Sequence, residues 1–142
     1  MAATAPLALA TPDRPVLFID RCAWSGKLGA ALDIAGIPHV PHRLHFKHDT
    51  PDDIWLTAVK DNGWLILTRD GRIRYRVNEH RALVDAKLMM FVLSNGGLTA
   101  EETGHIVCAA YPEIVRQSIV TQAPALFSIT RSGGVNRLKL SA

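Results

Sequence analysis

Asp20, Asp52 and Asp70 are the side chains with which this sequence can do chemistry. Val16-Leu17-Phe18-Ile19 and Trp64-Leu65-Ile66-Leu67 are unbroken apolar runs, and each exits into a carboxylate, Asp20 directly and Asp70 after Thr68-Arg69. Runs without polar alternation suit strands covered on both faces, as in a parallel sheet flanked by helices. In such sheets the working groups gather at the carboxyl ends of strands, near the point where strand order reverses. Thr50-Pro51-Asp52-Asp53 opens a helix, and helices of these units start where strands stop, so Asp52 is expected at the same edge. Carboxylates brought within about 5 Å repel pairwise by roughly 3 kcal/mol at an effective dielectric of about 20. A cluster of this kind calls for a cation or a proton, and oxygen ligands favour magnesium or manganese over zinc. A hard cation beside a basic face points to phosphodiester chemistry, with the metal activating water and stabilising charge on phosphate.

The basic face follows Asp70 directly. Arg72, Arg74 and Arg76 alternate with Ile73, Tyr75 and Val77, a period of two that reads as an extended segment with its arginines on one side. With Arg69 and Arg81 nearby they form a stripe suited to the phosphates of a nucleic acid. A solvated arginine edge that discourages sheet aggregation is the competing explanation.

The elements that must hold these groups are legible in order. Ser25 caps a helix to about Ala35 with Gly36 as its stop. Residues 37–42 form a short extended segment, confined by Pro38 and Pro41 to an edge or an irregular connection. His39, His42, His45 and His48 recur every third residue, a spacing that shares one face in a polyproline helix; it would serve either a metal or a polar loop meeting solvent or phosphate. Thr50 is expected to cap a helix with Pro51 at its first position, running to Asn62-Gly63, and Asp52 and Asp53 also suit the helix dipole. Residues 79–85 read as a short helix and residues 88–93 as a third buried strand ended by Asn95-Gly96-Gly97. Thr99 caps a long helix with Ile106, Val107, Ala110, Ile114, Val115 and Ile119 inward, which Pro112 should kink or divide. Residues 125–130 and 135–140 flank Ser132-Gly133-Gly134 as a terminal hairpin. Strands alternating with helices define an α/β fold with a mostly parallel central sheet.

Composition bounds the rest. A chain of 142 residues is the size of one compact domain, here residues 15–142 behind a loose tail at residues 1–14. Hydrophobic content of 48% and charged content of 20% exclude wholesale disorder. The apolar runs are too short to span a bilayer, and the first residues lack the basic leader of a secretion signal, so a cytoplasmic location is the default expectation. Cys22 and Cys108 have no metal-ligand spacing and are expected to be small core residues. The formal charge of +3 says less than its distribution.

VLFID ending at Asp20, TPDDIWL containing Asp52, and WLILTRDGRI containing Asp70 together resemble the PIN-like branch of the PIN nuclease superfamily, which includes the VapC-type ribonuclease toxins of bacterial toxin-antitoxin pairs. The similarity extends over about residues 16–130. It implies a PIN-like three-layer sandwich, a magnesium- or manganese-dependent endoribonuclease, frequent homodimers and, for toxins, a cognate antitoxin. Matched position by position, Asp20, Asp52 and Asp70 would be the catalytic and metal-coordinating acids, and Thr68 would orient the loop. The common pattern has a further acid, usually a glutamate, between the first two. This chain has no glutamate there, and Asp49 or Asp53 would have to compensate. Three readings follow: a metal-dependent ribonuclease toxin, a PIN-like module that binds RNA or a partner protein without cleaving, and another α/β enzyme such as a phosphatase or phosphorylation receiver. The phosphatase lacks the second aspartate of a DxD nucleophile after Asp20, and the receiver lacks an acidic pair before its acceptor.

Overall fold

Each unbroken apolar run becomes a strand, and the capping signals mark the helices between them. The computed structural model describes residue 11, residues 13–93 and residues 96–140, the side chain of Arg74 excepted. Of the expected tail, only residues 11, 13 and 14 are therefore described, and Asn95 of the Asn95-Gly96-Gly97 stop lies outside the described residues. In order, the elements are β1 (Leu17–Ile19), α1 (Gly26–Ala35), β2 (His39–Pro41), a 3-10 turn (His42–Leu44), α2 (Asp52–Ala58), β3 (Leu65–Thr68), a second 3-10 turn (Gly71–Arg74), α3 (Val77–Asp85), β4 (Met89–Leu93), α4 (Ala100–Val120), β5 (Ala125–Ile129) and β6 (Val135–Leu138).

The sheet order is β2-β1-β3-β4-β5-β6, parallel throughout except for the antiparallel β5-β6 hairpin. Pro41 belongs to the edge strand β2, where a residue without an amide proton is tolerated. The chain leaves β1 for β2 on one side and returns to β3 on the other, so strand order reverses between β1 and β3. The carboxyl ends of those two strands are the switch point of the fold.

Side chains alternate across the sheet and build two cores. Leu17, Ile19, Leu65, Leu67 and Phe91 face α1 and α4, while Phe18, Ile66, Met90 and Val92 face α2 and α3 through Trp55, Leu56 and Leu83. This is a three-layer α/β/α sandwich. Burying one such leucine, isoleucine or phenylalanine contributes about 1.5–3 kcal/mol, which is why the continuous runs lie in the interior of the sheet. Ser25 accepts from the Leu28 amide at the start of α1, and Gly36 ends it at φ 69°. Thr99 and Glu102 close a reciprocal capping box on α4. Gly104 lets α4 approach α1, since a Cβ there would meet that of Ala31 at 3.0 Å.

Four local expectations fail. Thr50 does not cap α2: the cap position is Pro51, no side chain accepts there, and the helix closes by Ala58, short of Asn62-Gly63. Pro112 does not divide α4, which runs unbroken because Ala110, Tyr111 and Ile114 are buried around it and the Tyr111 hydroxyl donates to Pro15 O at 2.8 Å. Ile119 points outward, beyond the part of α4 that the sheet covers. Arg72, Arg74 and Arg76 do not line an extended strand. The Asp70 side chain accepts from the Arg72 amide, winding residues 71–74 into a 3-10 turn that buries Ile73 and leaves Tyr75 and Val77 exposed.

Candidate functional site

Asp20, Asp52 and Asp70 come together at the switch point, linked through two arginines and one hydroxyl. Asp20 leaves β1 buried; its Oδ1 accepts from the Arg21 amide at 2.7 Å and its Oδ2 from the Thr68 hydroxyl at 2.9 Å. Thr68 Oγ1 in turn accepts from the Asp70 amide at 3.1 Å, so one buried hydroxyl at the end of β3 fixes two of the three acids.

Asp52 is the first residue of α2. Its Oδ1 accepts from Trp55 Nε1 at 2.9 Å and from Arg21 Nη2 at 3.2 Å, and its Oδ2 lies 3.8 Å from Arg76 Nη1. Asp70 Oδ2 accepts from the same Arg76 nitrogen at 2.6 Å, and Asp70 Oδ1 accepts from the Arg72 amide at 3.1 Å. Arg76 Nε also lies 3.7 Å from Glu79. Hydrogen bonding to Asp70 pushes the Arg76 guanidinium above its already high range. The result is a chain of alternating charge, Asp20 to Arg21 to Asp52 to Arg76 to Asp70. Asp49 is exposed in the turn before α2 and Asp53 is next along the helix; no ion pair ties either to this chain among the described residues.

Three further residues at this edge were not expected there. Arg21 follows Asp20 directly, and its adjacency to a buried acid is the only signal available. His42, expected on a shared histidine face, is instead wholly buried among Phe18, Phe46 and Trp55. His39 lies on β2 beside Asp33, His45 packs on Trp64 and His48 is exposed, so the four histidines do not share one face. Cys22 is not a core residue. Its sulfur sits in the site, donating to Asp20 Oδ2 at 3.3 Å and lying 3.3 Å from Thr68 Oγ1, and burial followed by the Asp20 charge pushes its thiol up.

His42 Nε2 is 3.3 Å from Arg21 Nη1. A guanidinium has no acceptor, so His42 accepts and carries its proton on Nδ1, a buried atom with no hydrogen-bond partner among the described residues. Burial lowers the His42 pKa from its ordinary 6.5. A lowered folded value means that the unfolded chain takes up the proton first on acidification. The contribution is complete above about pH 6.5 and is lost as pH falls toward the folded value. Urea midpoints are accordingly expected to fall between about pH 7.5 and about pH 5, and His42→Phe is expected to flatten that dependence. An unchanged slope in the variant would remove His42 from the account.

Magnesium would take about six oxygens at about 2.0–2.1 Å. The carboxylates as placed do not suit it, because their oxygens already meet amide, hydroxyl, indole and guanidinium hydrogens of the same chain. Among the described residues no group of three or more His, Cys, Asp or Glu side chains is placed to hold a metal. Beside the acids opens a cavity of about 560 Å³, lined by Cys22, Arg69, Asp70, Gly71, Arg72 and Tyr75. The Arg72 side chain is 81% exposed with its Nε 3.7 Å from Asp70, and Tyr75 is 65% exposed. No described helix is long and apolar enough to cross a membrane.

A family model described as a PIN like domain matches residues 15–95. The matched span covers β1 to β4 and contains Asp20, Asp52, Thr68 and Asp70, while α4 and the hairpin fall outside it. No curated protein and no solved structure gives a significant match to the chain.

Proposed function

The chain belongs to the PIN-like domain family, a nuclease-type fold, and from that premise we propose that it is an RNA-binding protein that grips single-stranded RNA at the carboxyl edge of its sheet. One observation carries this reading. The acids pair with Arg21 and Arg76, and the adjoining cavity is lined by Arg69, Tyr75 and the largely exposed Arg72, whose Nε lies 3.7 Å from Asp70. Guanidinium groups recognise phosphate through a planar fork, and an exposed phenol ring offers a stacking face for an unpaired base. A single strand presents both at once. Arg76, expected to bind RNA, serves the acids here, and the side chain of Arg74 lies outside the described residues.

The test is salt dependence. Arg69→Ala and Arg72→Ala are each expected to lower the slope of log affinity against log salt by about 0.7 for a single-stranded RNA. Tyr75→Ala is expected to cost about 1–3 kcal/mol of binding with little change of slope. Slopes equal to that of the wild type would return the arginines to a solvated surface.

The convergence of Asp20, Asp52 and Asp70 favours a second reading, the magnesium- or manganese-dependent endoribonuclease of a bacterial toxin-antitoxin pair. With it go an RNA substrate, a cognate antitoxin, a homodimer and a cytoplasmic location. That reading needs the carboxylate oxygens that Arg21 and Arg76 engage in this structure. The two readings part on whether bound RNA emerges cut.

A further inference from the structure

We infer that Arg21 and Arg76 are the resident cations of the acid edge, holding its three carboxylates together and closing it to a divalent ion. Both are built into the fold rather than laid over it. Arg21 leaves the tight turn after β1, where the Ala23 and Trp24 amides donate back to Asp20 O at 2.9 and 3.1 Å. Its guanidinium meets Asp52 Oδ1 at 3.2 Å, lies 3.9 Å from Asp20 Oδ1, and is received at 3.3 Å by His42 Nε2. His42 is itself held in an aromatic cage of Phe18, Phe46 and Trp55, so the acceptor that aims Arg21 is rigid.

Arg76 occupies the cap position of α3 and reaches back across the edge. A single nitrogen, Nη1, stands 2.6 Å from Asp70 and 3.8 Å from Asp52. That bridging position between two carboxylates is where charge balance requires a cation. The acid side chains are only 3%, 16% and 20% exposed for Asp20, Asp52 and Asp70, so solvent screens them weakly and their mutual repulsion must be answered locally. Two guanidiniums set among three carboxylates answer it, with the exposed Arg72 Nε 3.7 Å from Asp70 at the rim. A divalent ion would have to displace hydrogen bonds that several elements position together.

Arg21 and Arg76 pairing with the acids also underlies the RNA-binding reading, but the test contains no RNA, so each can fail without the other. Manganese is titrated calorimetrically into wild-type protein and into the Arg21→Gln/Arg76→Gln double variant, and both are melted in millimolar manganese and in chelator. The wild type is expected to show no binding isotherm and the same melting temperature in both buffers. The double variant is expected to bind manganese and to melt several degrees higher with it than in chelator. Arg76→Gln alone repeats the measurement if the double variant does not fold. Micromolar manganese binding by the wild type, or a folded variant indifferent to manganese, overturns the inference.

Discussion

Trp55→Ala is expected to destabilise the protein by about 3–5 kcal/mol, the range for removing a large aromatic side chain from a closed core. Trp55 is fully buried, with its ring 5.4 Å from that of Phe18 and 5.5 Å from that of His42. Alanine leaves a cavity beneath α2 and loosens the cage that aims His42 at Arg21. It also removes the indole donor from Asp52. Trp55→Phe separates the two effects: most of the packing survives and one donor is lost, with an expected cost of about 1–3 kcal/mol for a hydrogen bond to a carboxylate that Arg21 still engages. Urea unfolding of both variants gives the numbers. A loss below about 1 kcal/mol for alanine would mean that Trp55 is not a pillar of this core.

The second large effect is expected at Thr68. Thr68→Val keeps the branched shape at the end of β3 and removes the hydroxyl that donates to Asp20 Oδ2 and accepts from the Asp70 amide. A buried carboxylate oxygen that loses its hydroxyl donor and keeps only the weaker Cys22 thiol costs about 1–3 kcal/mol. Thr68→Ser retains the hydroxyl and is expected to keep most of the stability. Equal stability of valine and threonine would show that the hydroxyl bridge does not hold the two acids.

Much of this architecture was legible in the sequence because burial on both faces leaves a plain signature. Leu17 to Ile19, Leu65 to Leu67 and Met89 to Leu93 are uninterrupted apolar runs and all became interior strands. Ser25 with Gly36, and Thr99 with Glu102, marked helix ends by local hydrogen bonding that needs no tertiary context. Asp20 and Asp70 meet for a topological reason, since they follow neighbouring strands at an order reversal, and Asp52 joins them from the first residue of α2.

What was not legible depends on how side chains reach across elements. The alternation from Arg72 to Val77 has the period of a strand, yet Asp70 folds back to cap the Arg72 amide and converts the segment into a turn. That same turn carries Arg76 to Asp70 and Asp52, removing it from the expected RNA-binding stripe. Arg21 sits in sequence beside Asp20 but acts mainly on Asp52, a contact of long sequence separation that no periodicity announces. His42 shares a regular spacing with three other histidines, but the 3-10 turn at residues 42–44 sends it alone into the aromatic core.

We propose that this edge binds RNA through arginine and tyrosine while its acids are neutralised from within. The most direct measurement incubates the protein with end-labelled single-stranded RNA, in manganese and in chelator, and reads both the complex and the strand length. Equal complex formation in the two buffers and full-length RNA throughout are expected. RNA shortened in manganese, spared in chelator, and spared again by Asp20→Asn and Asp70→Asn would contradict the proposal.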